Sequence, residues 1–225
     1  MRSIATAALT AAACLLLPAA AGAQAADGIN GNVLHDGDLL FFAHSKGNAI
    51  TDVTTGVGNA MISHVAIVNI RGGKAYTIEA THRGVITQPV DSVLEKADKD
   101  GTQIMAACIV PRPDIATSVS NAMKYLGRPY DFYFERGDSA IYCSELVELS
   151  FRDSDGTPVF RPVPMSFHDR NGIITDYWKE YYRKAGKTVP EGEPGSNPGE
   201  MSRDKRVRIM FTLSRQKKSH DTALR

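Results

Sequence analysis

Two adjacent glycines constrain this chain more than any other feature. In "SHVAIVNIRGGKAYTIEAT", residues 63 to 81, two runs rich in β-branched residues flank Gly72-Gly73. A Gly-Gly pair supplies positive φ at both centres of a two-residue hairpin turn. With Arg71 paired to Lys74, opposed residues have numbers summing to 145, so Val68 faces Thr77 and His64 faces Thr81. Side chains alternate faces along a strand, which puts Glu79 on the face of His64 as its diagonal neighbour. A four-residue loop keeps that result, and a three-residue loop reverses it. The hairpin therefore presents an imidazole and a carboxylate together, the second able to fix the tautomer of the first.

Further strands are predicted for "GDLLFFA" (37–43) and "TQIMAACIV" (102–110). Between the first strand and the hairpin, "HSKGNAITDVTTGVGNAMI" is rich in Gly, Asn and Thr and reads as a surface loop with one helical turn. "DSVLEKADKDG" reads as a short charged helix ending at Gly101, and Asp114 caps a helix over "IATSVSNAMKYL" that Gly127 and Pro129 stop. An aromatic loop, "RPYDFYFERGD", leads to a helix from about residue 140 to 151, and "TDYWKEYYRKAG" predicts another at 175–186. "VPEGEPGSNPGEMSRD" carries too much Pro and Gly for regular structure and is expected to be pinned across the surface. Neighbouring strands followed by grouped helices indicate an α+β domain.

The first residues, "MRSIATAALTAAACLLLPAAAGAQAADG", have the pattern of a secretory signal peptide over residues 1–23, with cleavage near Ala23. Residues 24–225 are then one exported domain with a C-terminal extension, periplasmic or secreted. No later stretch approaches the ~20 apolar residues of a membrane span. The formal charge of +1 argues against a nucleic-acid protein, and the basic end, "RVRIMFTLSRQKKSHDTALR", reads as a solvated tail. Cys14 leaves with the signal peptide, so two cysteines remain. Cys108 lies in a strand-like run and reads as a buried thiol; an oxidising compartment also permits a Cys108–Cys143 disulfide.

Cys143 stands at the start of the "YCSELVELSF" helix. A helix N-terminus and a nearby imidazole both favour a thiolate, the form that attacks carbonyl carbon. Alone, a cysteine there is commonly packing. Set beside an imidazole and a carboxylate that share a strand face, it completes a nucleophile, a base and an orienting acid.

"GDLLFF", "SHVAIV", "YTIEA" and "YCSELV" resemble four segments of the NlpC/P60 cysteine peptidases, over roughly residues 36 to 150. In the usual arrangement the cysteine helix comes first. Here the strands precede it, which resembles the permuted YiiX/YebB-like branch, where a segment like "YLGRPYDF" precedes "YCSE". The resemblance implies a circularly permuted papain-like α+β fold, with an antiparallel sheet or small barrel packed against helices. It also implies a cysteine hydrolase cleaving a peptide or N-acyl amide through a thioester. Carried over by motif, Cys143 is the nucleophile, His64 the base and Glu79 the polar third member, standing where many unpermuted relatives have histidine. Tyr142 and Tyr130 are candidates for stabilising an oxyanion, as is the Cys143 N–H, although both tyrosines also suit packing. No cofactor is implied. The substrate classes implied are a peptide, a cell-wall fragment or an acylated lipid.

Several alternatives stay open on the sequence. His168, with Asp169 beside it, follows Cys143 in the order familiar from papain-like enzymes. A metal site is conceivable from His35, Asp36, Asp38 and His44, or from His64, Glu79, His82 and Cys143, although no H-E-x-x-H or paired C-x-x-C spacing occurs, and "HDGD" reads as a turn entering a strand. A lipid acyltransferase, or a wall- or lipid-binding module without turnover, would use the same fold. Oligomeric state is not legible.

Overall fold

The structure, a computed structural model, describes residues 25–29, 32–137 and 139–213. The expected signal peptide with Cys14, and the basic end from residue 214, lie outside these. Strands β1 (Ala25–Ile29) and β2 (Asn32–His35) form a hairpin; β3 (Leu39–His44), helix α1 (Ala49–Val53), β4 (Ile62–Arg71), β5 (Lys74–Thr81) and β6 (Gly84–Pro89) follow. Next come α2 (Val90–Asp100), β7 (Thr102–Ile109), α3 (Ile115–Met123) and α4 (Cys143–Ser150). The rest is β8 (Val163–Pro164), α5 (Asp176–Lys184), β9 (Pro194–Gly195), α6 (Pro198–Ser202) and β10 (Val207–Leu213).

Six strands make one antiparallel sheet in the order β10-β7-β3-β4-β5-β6. Its faces are sorted by the period-2 alternation of the strands. Leu39, Phe41, Val65, Ile67 and Ile78 pack with Leu146 and Val147 of α4 and Ala122 of α3. Leu40, Ala66, Val68 and Ile70 pack with Val93, Leu94 and Ala97 of α2. A third cluster joins Trp178 and Tyr182 of α5 to Met165 and Phe167. Both faces of the central strands are therefore covered, which explains their near-continuous apolar runs.

The hairpin closes as its glycines require, with Gly72 at φ 56° and Gly73 at φ 74°, and pairs Arg71 with Lys74 and Val68 with Thr77. That ladder ends at Ile67–Ile78, so His64 does not pair with Thr81 as the extrapolated register implies. Beside His64 the register of β3 against β4 slips, from Phe42–His64 to Ala43–Ile62, a bulge at Ser63. A bulge bends its strand and re-aims the neighbouring side chains, and here it carries the start of β4 away from the hairpin register. Glu79 nevertheless shares the face of His64, as alternation demands.

Two further expectations are corrected. The start of the basic tail is built into the sheet: Val207–Leu213 is β10, an edge strand on β7 that buries Val207 and Leu213, leaves Arg208, Ile209, Met210 and Thr212 exposed, and slips in register between Ile209 and Phe211. The Pro- and Gly-rich stretch contains α6, which Asn197 caps by accepting the Glu200 N–H, with Pro198 in the first turn where a missing N–H costs nothing. β6, unassigned by pattern, sits on the far edge of the sheet. Among the described residues no helix is long and apolar enough to cross a membrane.

Candidate active site

The sheet supplies one half of the site. Glu79 on β5 is almost wholly buried, and each of its oxygens is used: Oε2 lies 2.7 Å from His64 Nε2, while Oε1 accepts the Thr77 hydroxyl at 2.6 Å and the Gln88 amide at 2.8 Å. Thr77 stands two residues before Glu79 on the same face, and Gln88 is Thr77's register partner on β6. Burial alone would push the Glu79 carboxyl up, but the His64 ring and the Thr77 and Gln88 hydrogen bonds hold it down at about 2. Burial works against a charge on His64 too. Hydrogen bonds and charges from Cys143 and Glu79 outweigh it and raise the imidazole to about 10. Phe42, the β3 partner of His64, packs edge-on against the ring at 4.8 Å.

The other half is the start of α4. Cys143 is its first residue, 3 % exposed, and no side chain caps the helix, so the first-turn N–H groups are not used by a cap. Glu145 reaches back to accept the N–H groups of Tyr142 and Gly137, the carboxylate half of a capping box. Its Oε2 is buried with no hydrogen-bond partner among the described residues, and so is Oδ2 of the neighbouring Asp131. Burial pushes Glu145 up to about 7, and the Asp131 charge adds to the push. Tyr130 is bridged to Ile141, and its hydroxyl hydrogen-bonds Cys143; burial, then the Cys143 charge, hold this phenol well above its ordinary range, so it remains a donor. The segment carrying Tyr130 is fastened to β6 by Val85 N–H to Arg128 O at 2.8 Å. Gly84, at φ 90°, makes this approach possible, because a Cβ there would stand 2.5 Å from the Arg128 oxygen.

Other predicted positions lie elsewhere or are otherwise engaged. The Tyr142 hydroxyl accepts the Ser196 N–H at 3.0 Å and its ring packs on Phe134, so it braces the 189–204 stretch rather than meeting the sulfur. His168 is bound to Glu191 at 3.0 Å and to Ser166, apart from Cys143. Asp169 accepts the Asn171 and Ile173 N–H groups of its own turn. His35, Asp36, Asp38 and His44 do not converge: Asp36 accepts the Ile70 N–H, Asp38 the His35 N–H, and His44 meets the Thr102 hydroxyl at the opposite end of β3. Among the described residues no group of three His, Cys, Asp or Glu side chains is gathered as a metal would need. His82 lies in the turn between β5 and β6. Cys108 and Cys143 are both free thiols. Cys108 is half-buried rather than buried, on the α2 face of β7, with the sheet between it and the α4 core.

Three cavities meet around these groups. A polar cleft of about 390 Å³ is lined by His64, Glu79, Tyr130, Arg83 and Lys96. A small apolar cavity of about 50 Å³ is lined by Cys143, Ile50, Val53, Phe134, Met165 and Trp178. An aromatic groove of about 280 Å³ is lined by Tyr130, Phe132, Phe134, Tyr177 and Tyr181. The groove shares Tyr130 and Phe132 with the cleft, and shares Phe134 with the cavity at the sulfur.

Residues 33–209 match the family model of the permuted papain-like amidase enzymes, YaeF/YiiX, the C92 family. The chain belongs to this family. The uncharacterized protein YiiX of Escherichia coli K12 is 27 % identical over 171 residues, covering 72 % of this chain and 78 % of that one. The crystal structure of metalloprotein yiiX from Escherichia coli O157:H7 superposes with a TM-score of 0.64 at 22 % identity, covering 80 % of this chain and 97 % of the other, and shows the shared fold. At the level of the C92 family, the chain is thus a papain-like cysteine hydrolase or amidase with the permuted α+β fold.

Sequence reasoning missed three parts of this C92 site. Thr77 and Gln88 were legible only through the register, since Gln88 sits on an unassigned strand. Glu145 stands three residues after the N-cap Tyr142, where glutamate is a recognisable capping signal. Phe134, at φ 55° and wedged between groove and sulfur, has no sequence signal at all.

Proposed function

We propose that this chain is an exported cysteine amidase in which Cys143 is the nucleophile, His64 the proton carrier and Glu79 the residue that orients and charges His64. The contact that carries this reading is the 2.7 Å bond from His64 Nε2 to a Glu79 carboxylate fixed by Thr77 and Gln88, with Cys143 as the second side-chain partner of the ring. A ring raised to about 10 is an imidazolium at neutral pH. Beside it stands the sulfur of Cys143, the first residue of α4.

The thiolate adds to the amide carbonyl carbon, and the oxyanion is met by the Cys143 N–H and the Tyr130 hydroxyl. His64 gives its proton to the departing nitrogen as the C–N bond breaks, leaving a thioester. Water then gives a proton to His64 and cleaves the thioester, restoring the thiolate. Export is supported by the sequence of residues 1–23 alone, and free thiols are compatible with it. Tyr142 is read here as packing.

The test is to trap the acyl-enzyme from a mixed extract of wall fragments and lipids and identify by mass spectrometry what is attached to Cys143. Cys143→Ala and His64→Ala should abolish the adduct, and His168→Ala should retain it. An adduct lost only in His168→Ala would overturn the assignment.

A further inference from the structure

We propose that Asp131 and Glu145 share one proton, joining a carboxylic acid to a carboxylate through their two orphaned oxygens, and that this bond seats the Tyr130 hydroxyl on the sulfur of Cys143. Both acids are positioning residues, and the second half of the proposal rests on the acyl-transfer reading of Cys143.

The two acids belong to the two segments that must meet. Asp131 directly follows Tyr130, and Glu145 stands two residues after Cys143 in the first turn of α4. One oxygen of each is used by the loop between them: Asp131 Oδ1 accepts the Tyr133 N–H at 2.8 Å, and Glu145 Oε1 accepts the Gly137 N–H at 3.4 Å. The other oxygens, Asp131 Oδ2 and Glu145 Oε2, are buried without a hydrogen-bond partner among the described residues. The residues themselves are 7 % and 1 % exposed. Two neighbouring buried carboxylates are costly, and a single proton between them removes one charge and satisfies both oxygens.

The nearby donors are committed elsewhere. Arg136 gives its guanidinium to both oxygens of Glu148, at 3.1 and 2.9 Å, and Lys187 pairs with Glu135. Tyr181 and Tyr182 donate to the carbonyls of Phe132 and Tyr133, and the Tyr142 hydroxyl meets the Ser196 N–H. Burial raises both carboxyls, Glu145 to about 7, so the pair keeps its proton up to neutral pH. Between the two segments the backbone tie is thin: Ile141 N–H to Pro129 O at 2.9 Å and Asp131 N–H to Ile141 O at 3.3 Å. When the proton leaves, two carboxylates face each other, and their repulsion parts Tyr130 from the sulfur.

Acylation of Cys143 by p-nitrophenyl acetate, compared between wild type and Tyr130→Phe at each pH, isolates the Tyr130 hydroxyl, because thiol and imidazole titrations are common to both. The ratio should be at least ~10 at pH 5.5 and fall toward 1 by pH 9, with its midpoint near 7. Glu145→Gln offers an amide N–H to Asp131 at every pH, so in that background the ratio should keep its acid value to pH 9. A ratio that does not change with pH, or that falls equally in Glu145→Gln, would overturn the positioning role. The shared proton has its own readout. The infrared difference between wild type and Glu145→Gln at pH 6 should contain the C=O band of a protonated carboxyl, lost by pH 9. Its absence at pH 6, as for two carboxylates bridged by a bound cation, would overturn the proposal. Acylation that survives Cys143→Ala would sink the acyl-transfer reading alone; the acid band would still support the shared proton, and its absence overturn it.

Discussion

Glu79 and Glu145 are both glutamates that water scarcely reaches, at 3 % and 1 % exposure, and both stand within one site. Yet one is held at about 2 and the other at about 7. Desolvation pushes both upward, so burial does not separate them. Partners do. Glu79 has an imidazolium on one oxygen and two neutral donors on the other, supplied by a sheet whose strands fix their spacing. Glu145 has two backbone N–H groups, one at 3.4 Å, an orphaned Oε2 and the Asp131 carboxyl as neighbour. The sheet half is built to hold charge, and the α4 half is built to hold position.

Removing Glu79 tests the first statement with the largest effect. Glu79→Gln should lower kcat/KM about 10²–10³-fold, within the range for general acid–base groups, and move the alkaline limb of the pH–rate profile well below 10. Its stability cost also depends on pH in a definite direction. The depressed Glu79 contributes stability above about 4.5 that is lost as pH falls toward 2, and the raised His64 contributes stability below about 6.5 that is lost as pH rises through 10. The difference between wild type and Glu79→Gln in urea midpoint should therefore peak near pH 5–6 and shrink in both directions. A pH-independent difference would mean the pair is not the source.

Glu145→Gln should behave in the opposite sense. A carboxyl raised from 4.5 to about 7 binds its proton more tightly when folded, so wild-type stability falls as pH rises between these values, by a few kcal/mol. The amide keeps an acceptor for the N–H groups and removes the charge. The variant should be more stable than wild type at pH 8 and nearly equal at pH 4, as read by urea midpoints. A variant less stable than wild type at pH 8 would mean that more than the two N–H groups holds the carboxylate.

Gly84→Ala probes the link between the halves. Strain at φ 90° and contact with the Arg128 oxygen should cost about 1–3 kcal/mol, and kcat should fall further than His64 titration explains, because Tyr130 is displaced from the sulfur. Cys108→Ser should have the smallest effect, leaving activity intact and removing one titratable thiol under non-reducing conditions. A gain of one titratable thiol instead would reveal a disulfide, because the substitution would free Cys143.

Much of this was legible along the chain. Gly72-Gly73 predicts its own turn, and that turn predicts which side chains share a face, because alternation is a local property. The capping of α3 by Asp114 and the aromatic character of residues 130–134 and 178–182 were equally readable. β6, β10 and α6 were not. A register slip between Ile209 and Phe211 breaks the alternation of residues 207–213, and α6 is too short to show a period. The pairing of Gln88 with Thr77 depends on a strand edge that no local pattern announces.

The chain by itself determined the inventory: a hairpin presenting His64 with Glu79, and a helix opening on Cys143. Only the folded chain decided that α4 brings its first residue against the imidazole and that Tyr130 rather than Tyr142 meets the sulfur. Those are contacts between segments far apart in sequence. Their geometry is set by packing on a bent sheet, which no spacing along one segment encodes.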